Sequence, residues 1–187
     1  MTPEQLLHIL HTAEHLKDVT RHSYTSGGRH ESTAEHSWRL ALMAYFLRAD
    51  FPEVDMDRVI RMCLIHDLGE VFTGDIPSFL KSTADEQQEE ALLSRWVSSL
   101  PAPYGAEMAE LYAEMAAQQT PEARIYKALD NMEAVLQHNE AALSTWTENE
   151  YSLNLTYGTE RAAFSPVLST LRQALRRETE EKLQSGK

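Results

Sequence analysis

The stretch Met62-Cys-Leu-Ile-His-Asp-Leu-Gly-Glu70 places an imidazole and a carboxylate side by side in an otherwise apolar segment. Such a pair packs poorly in a buried helix, but it can supply two ligands to one divalent metal ion. Adjacent helical residues point about 100° apart, so both side chains can reach one ion only if it lies beside the helix. The remaining ligands must then come from other helices.

Hydrophobic periodicity along the rest of the chain predicts an all-α fold in a single domain, residues 1–187. Capping boxes at Thr2–Gln5 and Ser32–Glu35 open the first two helices. The second of these runs to about Arg48 and is apolar nearly all round, so we expect it to be central and buried. The remaining predicted helices cover about 55–68 (ending at Gly69), 85–100, 104–118, a segment from Thr120-Pro121 onward, and a C-terminal helix within 160–187 that Ser165-Pro166 opens. We expect residues 20–32 to form a loop and residues 147–158 to be irregular.

Composition limits the classes of partner. A net charge of −12 argues against a broad nucleic-acid-binding face, which needs clustered Lys and Arg. It does not exclude a small phosphate ester, because a metal ion and a few basic side chains can reverse the field locally. The chain has one cysteine, no run of about 18 apolar residues and no signal-peptide pattern at its N-terminus. We therefore expect a cytoplasmic protein without a membrane or nucleic-acid partner.

Two histidines are expected to point into the core from neighbouring helices. His36 lies one residue past the second capping box, and apolar residues continue its face at helical spacing. His66 shares a helical face with Met62 and Cys63. A lone inward histidine is usually a satisfied core residue, but two of them, one followed by Asp67, favour a metal site. With a single cysteine in the chain, histidine and carboxylate ligands remain.

These residues resemble a known family. The separated His36, the pair His66-Asp67 and the later Asp130 resemble the H…HD…D signature of the HD-domain metal-dependent phosphohydrolases. Three longer segments are similar to the branch that contains the 5′-deoxynucleotidases: Glu31–Ser37, His66–Pro77 and Lys127–Asp130. The resemblance covers roughly residues 14–140. It implies a helical bundle with one divalent ion, release of phosphate from (deoxy)nucleoside 5′-monophosphates, and a homodimer.

By position, the resemblance implies that the metal ligands are His36, His66, Asp67 and Asp130. Helical periodicity gives a different expectation for Asp130, because this residue lies opposite the apolar stripe that contains Ile125 and Leu129. Periodicity alone therefore predicts that Asp130 is a solvated acid. A ligand role requires a helix that is covered on both sides. No histidine lies between His66 and Asp130, so we expect a mononuclear site for Mn²⁺, Co²⁺, Fe²⁺ or Zn²⁺.

The resemblance also implies roles around the metal. Glu70 matches the catalytic acid/base position, and Asp75 matches a second active-site acid. Arg21 corresponds to an arginine that contacts the substrate phosphate, and Lys127 lies one turn before Asp130, facing the same anion. His22 or Tyr24 is expected to contact substrate in the region where the deoxynucleotidases place a tryptophan against the sugar, so the preference for ribose or deoxyribose stays open.

Three functions remain open from the sequence. The first is a metal-dependent phosphomonoesterase acting on nucleoside 5′-monophosphates through a metal-activated water. The second is an HD phosphohydrolase acting on another nucleotide: a triphosphate, an alarmone or a modified nucleotide. The third is a non-catalytic HD signalling module, which typically loses metal ligands, whereas this sequence keeps all four together with Glu70.

Overall fold

In the computed structural model, which describes residues 1–77 and 80–186, the chain folds mainly into α-helices, as predicted. The helices are α1 Pro3–Glu14, α2 Thr33–Phe46, α3 Met56–Ile65, α4 Glu70–Thr73, α5 Thr83–Ser98, α6 Tyr104–Ala117, α7 Pro121–Glu140, α8 Glu150–Thr156, α9 Thr159–Ala162 and α10 Pro166–Ser185. Strand β1 (Thr20–Tyr24) pairs antiparallel with β2 (His30–Ser32). The prediction of a plain loop over 20–32 was therefore wrong, since the segment forms a hairpin. Across the described residues, no helix is long and apolar enough to cross a bilayer.

Helix starts follow the sequence closely. The two predicted capping boxes are present at Thr2 and Ser32, where each cap side chain accepts a hydrogen bond from the third helical N–H. Thr120 and Ser165 cap α7 and α10 in the same way, each with proline in the first turn. Capping depends on residues within one turn, which is why local sequence predicts it well.

Helix α7 is the centre of the fold and packs against α2, α3, α6 and α10. Its buried residues lie on every side of the helix, and Ala123, Leu129 and Glu133 have no exposed surface. The periodicity reading that placed Asp130 on a solvated face was therefore wrong. Helices on both sides of α7 bury the polar face as well as the apolar one.

Helix α2 is buried on one face only, contrary to expectation. His36, Leu40 and Ala44 are fully buried, whereas Trp38 is 62% exposed and Phe46 is 72% exposed. Helix α1 is partly or fully exposed along its whole length, including its apolar stripe. An apolar helix is buried all round only where other elements pack on both of its sides. The rest of this chain packs against one side of α2 only.

Two further predictions were wrong near the cavity described below. The segment 147–158 contains α8, which Gly158 (φ 77°) turns back against α7, where an added Cβ would lie 2.8 Å from Asn131 Cβ. Helix α3 ends at Ile65, and Gly69 (φ −59°) is not a left-handed terminator. An added Cβ at Gly69 would lie 2.8 Å from Glu89 Cγ, so this glycine permits close approach of α5.

Candidate metal centre and catalytic cavity

Four predicted ligands converge from three segments of the chain. His36 lies in the first turn of α2, His66 and Asp67 follow α3, and Asp130 lies in the middle of α7. His36 Nε2 is 3.3 Å from His66 Nε2 and 3.2 Å from Asp130 Oδ1. His66 Nε2 is 2.9 Å from Asp67 Oδ2, and His36 Nε2 is 3.9 Å from the same oxygen. The structure therefore brings together the set that the sequence pattern indicated, because α2, α3 and α7 pack against one another.

The donor set fits a divalent cation. The Nδ1 atom of His36 contacts a Glu133 carboxylate oxygen, and His66 Nδ1 is 2.9 Å from the Cys63 carbonyl oxygen. Both partners are acceptors, so each Nδ1 carries a proton, and in the neutral imidazole each Nε2 presents a lone pair. Two such lone pairs at 3.3 Å, beside two carboxylates, repel one another unless a positive charge lies among them. Two nitrogens and two oxygens suit Mn²⁺, Fe²⁺, Co²⁺ or Zn²⁺.

A buried ionic network orients His36. The Glu133 side chain has no exposed surface and accepts a hydrogen bond from Arg39 Nε at 2.6 Å. Burial raises the pKa of Glu133, but His36 and Arg39 lower it below its usual value, so the carboxylate stays charged. Sequence reasoning missed Glu133. The sequence feature that could have indicated it is its position one turn after Asp130, among apolar residues of the same helix.

Two cations flank the carboxylate ligands. Arg21 Nη1 lies 3.5 Å from Asp67 Oδ2, and Lys127 Nζ lies 2.8 Å from Asp130 Oδ2. The negative charge of Asp130 raises the pKa of Lys127, so the amine remains an ammonium at neutral pH. These positive groups are therefore placed to attract an anion beside the metal ligands.

Glu70 is a carboxyl group that holds its proton. Burial and the charges of Asp67 and Asp75 raise its pKa more than Thr33 and Arg21 lower it, and the result is a pKa of about 9. Thr33 Oγ1 donates a hydrogen bond to Glu70 Oε2 at 2.8 Å. Glu70 and Asp75 both line the cavity described next, so a proton donor faces the space beside the metal ligands.

One cavity of about 270 Å³ joins these groups to an opposite wall. The near wall carries Arg21, Asp67, Glu70, Asp75, Lys127 and Asp130. The far wall, from β1, the end of α7 and α8, carries His22, His138, Glu150, Leu153, Asn154 and Tyr157. Sequence reasoning missed most of the far wall, because the segment that forms α8 was expected to be irregular.

The two alternative substrate contacts on β1 differ in position. His22 lines the cavity, and its Nε2 lies 2.6 Å from Glu150 Oε1. Tyr24 is not among the residues described as lining it. The Tyr24 ring packs on His30, with centroids 4.0 Å apart, and its carbonyl accepts a hydrogen bond from Gln137. The expected contact of Tyr24 with substrate therefore has no support, because this ring packs within the hairpin.

A second, larger cavity lies beside the first. It has a volume of about 530 Å³ between α5 and α6, and Leu93, Val97 and Met115 give it an apolar lining. His66 borders this second cavity, and Lys81, Glu86 and Lys127 border both cavities. A ligand anchored at the metal ligands can thus extend in two directions, towards α8 or towards α5 and α6.

Comparisons with known proteins identify the family and the fold. The HD domain family model matches residues 13–172. The protein named 5′-deoxynucleotidase HDDC2 from Homo sapiens is 33% identical over 139 residues, covering 72% of this chain and 67% of the relative. Its namesake from Dictyostelium discoideum is 30% identical, over 89% of this chain and 93% of the relative. A crystal structure of a predicted metal-dependent phosphohydrolase from Magnetospirillum magnetotacticum MS-1 is similar, with a TM-score of 0.76 and 29% identity over 96% of this chain and 93% of that one.

Proposed function

This chain belongs to the HD domain family, and from that premise we propose that it is a metal-dependent phosphohydrolase that releases phosphate from nucleoside 5′-monophosphates. The observation that carries the proposal is the convergence of four acceptor atoms, with both imidazole Nδ1 atoms already engaged by Glu133 and Cys63. Relatives named 5′-deoxynucleotidase support the substrate class. A degenerate signalling module would not be expected to keep this set.

In this proposal His36, His66, Asp67 and Asp130 hold one divalent ion. When bound, the ion supplies Lewis-acid charge and a water nucleophile of lowered pKa. Arg21 and Lys127, which lie beside the ligand carboxylates, bind phosphoryl oxygens and stabilise the charge that develops on them.

Glu70 acts as the general acid. Phosphate release leaves an alkoxide at the 5′-oxygen, and a carboxylic acid within reach can donate the proton that this leaving group needs. The buried Glu70 faces the cavity one turn from Asp67 and is held by Thr33. Asp75 assists by keeping the Glu70 proton in place, because its negative charge disfavours a second carboxylate nearby.

The charge of the cavity favours a monophosphate over a polyphosphate. Among the residues described, its lining contains three cationic side chains, Arg21, Lys81 and Lys127. Lys81 is already paired with Glu89 at 2.7 Å. Arg21 and Lys127 instead pair with the ligand carboxylates Asp67 and Asp130, which a metal ion would also neutralise. These two cations and one metal ion match the charge of a single phosphate group, whereas a triphosphate carries roughly twice that charge.

The test is a phosphate-release screen. Metal-stripped protein is reloaded with Mn²⁺, Co²⁺ or Zn²⁺ and incubated with ribo- and deoxyribonucleoside monophosphates and with triphosphates. The expected result is inorganic phosphate from monophosphates in the presence of metal only. Absence of phosphate with every metal and nucleotide would contradict the proposal, and inorganic tripolyphosphate from triphosphates would favour the alternative substrate.

We also propose that the chain forms a homodimer through the exposed apolar faces of α1 and α2. Leu10 is 53% exposed, Trp38 is 62% exposed and Phe46 is 72% exposed, and water is an unfavourable neighbour for such large side chains. Sedimentation equilibrium should show a dimer that Phe46→Glu converts to monomer. Tyr104→Glu, a change at an exposed ring on α6, is the matched control, and a monomeric wild-type chain would contradict the proposal.

A further inference from the structure

The hairpin that carries Arg21 and His22 contains a bulge. The register pairs are Thr20 with Ser32 and Tyr24 with His30. Residues 21–23 of β1 therefore lie opposite Glu31 alone in β2. Consecutive side chains of a regular strand point to opposite faces, but a bulge re-aims them, and here Arg21 and His22 both line the catalytic cavity. The residue opposite the bulge, Glu31, has no part in the phosphate chemistry described above.

Glu31 is a buried acid with two arginines beside it. Its side chain is 3% exposed. Its Oε2 lies 3.5 Å from Arg21 Nε and accepts a hydrogen bond from Ser23 Oγ at 3.2 Å. Its Oε1 lies 3.9 Å from Arg39 Nη2. A buried carboxylate is costly to the fold unless charged or hydrogen-bonding partners compensate it, and these three side chains do so.

The Arg21 guanidinium is held at two points. Its Nη1 donates a long hydrogen bond to Asp67 Oδ2 at 3.5 Å, and its Nε lies 3.5 Å from Glu31 Oε2. The Nε atom is buried and makes no hydrogen bond within residues 1–77 and 80–186, so the ion pair with Glu31 is what compensates its burial. A guanidinium carries five N–H donors in one rigid plane. A carboxylate on the Nε side therefore sets the direction in which the other donors point.

We propose that Glu31 is a positioning residue, which holds the Nε side of Arg21 so that the Nη groups face the substrate phosphate. The inference rests on the proposed function, in which Arg21 binds phosphoryl oxygens beside the metal ion. Asp67 cannot position Arg21 alone, because in that function its charge is shared with the metal ion. Glu31 is not among the residues described as lining the cavity, so it acts through Arg21 rather than on the substrate.

Arg39 joins Glu31 to the carboxylate that orients a metal ligand. Arg39 Nη2 lies 2.6 Å from Glu133 Oε1 and 3.9 Å from Glu31 Oε1. Glu133 contacts His36, whereas Glu31 pairs with Arg21. Two buried acids on one arginine therefore support different groups. Loss of Glu133 should weaken metal binding, and loss of Glu31 should weaken phosphate binding.

The charge of Glu31 depends on the groups around it. Burial and the charge of Glu133 raise the pKa of Glu31 to about 7, and Arg21 lowers it more than His36 and Arg39 do. Measurements at about pH 8 therefore address the ionised carboxylate.

The first experiment measures kcat/KM and inhibition by inorganic phosphate in the metal-loaded enzyme at about pH 8. Glu31→Gln should lower kcat/KM and raise the inhibition constant of phosphate by about 10-fold, as expected for loss of a charged contact. Metal affinity should stay within about 3-fold of wild type, below the loss expected for a partner of a ligating histidine. In an Arg21→Gln background, Glu31→Gln should cause no further loss, because Arg21 is the group through which Glu31 acts.

The matched control is Glu35→Gln. Glu35 also pairs with an arginine, Arg29, but its side chain is 42% exposed. Glutamine at this position keeps the capping box that Ser32 opens. This variant should leave kcat/KM, phosphate inhibition and metal affinity at wild-type values.

Three outcomes would overturn the inference. One is a Glu31→Gln enzyme with unchanged kcat/KM and phosphate inhibition. Another is a loss of metal affinity as large as that of Glu133→Gln, which would make Glu31 a support of His36. The third is an additive effect of Glu31→Gln and Arg21→Gln, which would show that Glu31 acts on the fold and not through Arg21.

Nitrogen NMR tests the contact separately from the reaction. The Nε–H signal of Arg21 is assigned by its disappearance in Arg21→Gln. In the metal-loaded wild-type chain this proton should exchange slowly with water, and Glu31→Gln, but not Glu35→Gln, should shift the signal and speed the exchange. That result supports the inference even if no nucleotide is hydrolysed. A proton that exchanges too fast to observe, or a signal that Glu31→Gln leaves unchanged, contradicts it even if phosphate is released.

Discussion

Two clusters in one cavity combine imidazoles with carboxylates, yet they are built for different purposes. In the metal cluster (His36, His66, Asp67 and Asp130), both Nδ1 protons are taken by acceptors, and the Nε2 atoms face each other at 3.3 Å. In the Glu150 cluster (His22, His138 and Glu150), both Nε2 atoms point at one carboxylate oxygen. The first arrangement gathers acceptors that favour a cation, whereas in the second the imidazoles lie against the carboxylate. The direction of the hydrogen bonds, rather than residue type, distinguishes them.

The largest expected effect comes from removing a ligand charge in the metal cluster. Asp67→Asn should abolish stoichiometric metal binding and lower turnover by about 1,000-fold or more, because the nucleophile and the Lewis acid are lost together. Metal content by elemental analysis and phosphate release measure both. His138→Gln in the Glu150 cluster should keep one metal per chain. The comparison fails if His138→Gln loses that metal or Asp67→Asn retains it.

The next effect separates chemistry from metal binding. Glu70→Gln preserves the shape of the side chain and an acceptor for Thr33, but it removes the transferable proton. Turnover should fall by about 100-fold to 10,000-fold while the metal stays bound. Single-turnover phosphate release beside metal analysis is the measurement. Metal loss in this variant would show that Glu70 belongs to the ligand set instead.

A smaller effect on metal affinity is expected from Glu133, which contacts His36 of the metal cluster. Glu133→Gln removes the charge that orients His36, and such partners of ligating histidines contribute about 10-fold to 100-fold in metal affinity. Competition with a chromogenic chelator measures that affinity. Glu140→Gln is the matched control, since Glu140 also pairs with Arg39 but its side chain is 45% exposed. Equal losses in both variants would assign the effect to Arg39.

The smallest effect concerns stability and belongs to the Glu150 cluster. The pKa of Glu150 is lowered to about 2, below its unfolded value, so its ionised form stabilises the fold above the unfolded pKa. That contribution should be lost as the pH falls from about 5 towards 2. In urea unfolding at pH 7, Glu150→Gln should cost about 1–2 kcal/mol, a figure reduced for solvent screening. The gap from wild type should narrow in acid, and a gap independent of pH would contradict this assignment.

Sequence patterns predicted the metal cluster better than its surroundings. The inward faces of His36 and His66 follow from helical spacing, and both side chains are buried. Asp130 could not be placed by periodicity, because a helix covered on both sides has no solvent face to set against an apolar one. Only the family signature pointed to it.

The Glu150 cluster shows what local sequence patterns cannot predict. Its bond between His22 and Glu150 joins residues 128 positions apart, and the segment around α8 lacks the apolar periodicity that predicts a helix. The exposed face of α2 was mispredicted for a related reason. Periodicity identifies which residues share a face, but it does not say whether another element covers that face.

The sequence by itself determined most of the helices, their caps and the inward faces of His36 and His66, because those depend on contacts within a turn or on spacing along one helix. Only the tertiary structure decided which nitrogen of His36 faces the other three candidate ligands, since that depends on Glu133, 97 positions away. It also placed Glu150 and Asn154 opposite the ligands. Hydrogen-bond direction arises between distant segments, and that direction makes one cluster a cation site and the other a polar wall.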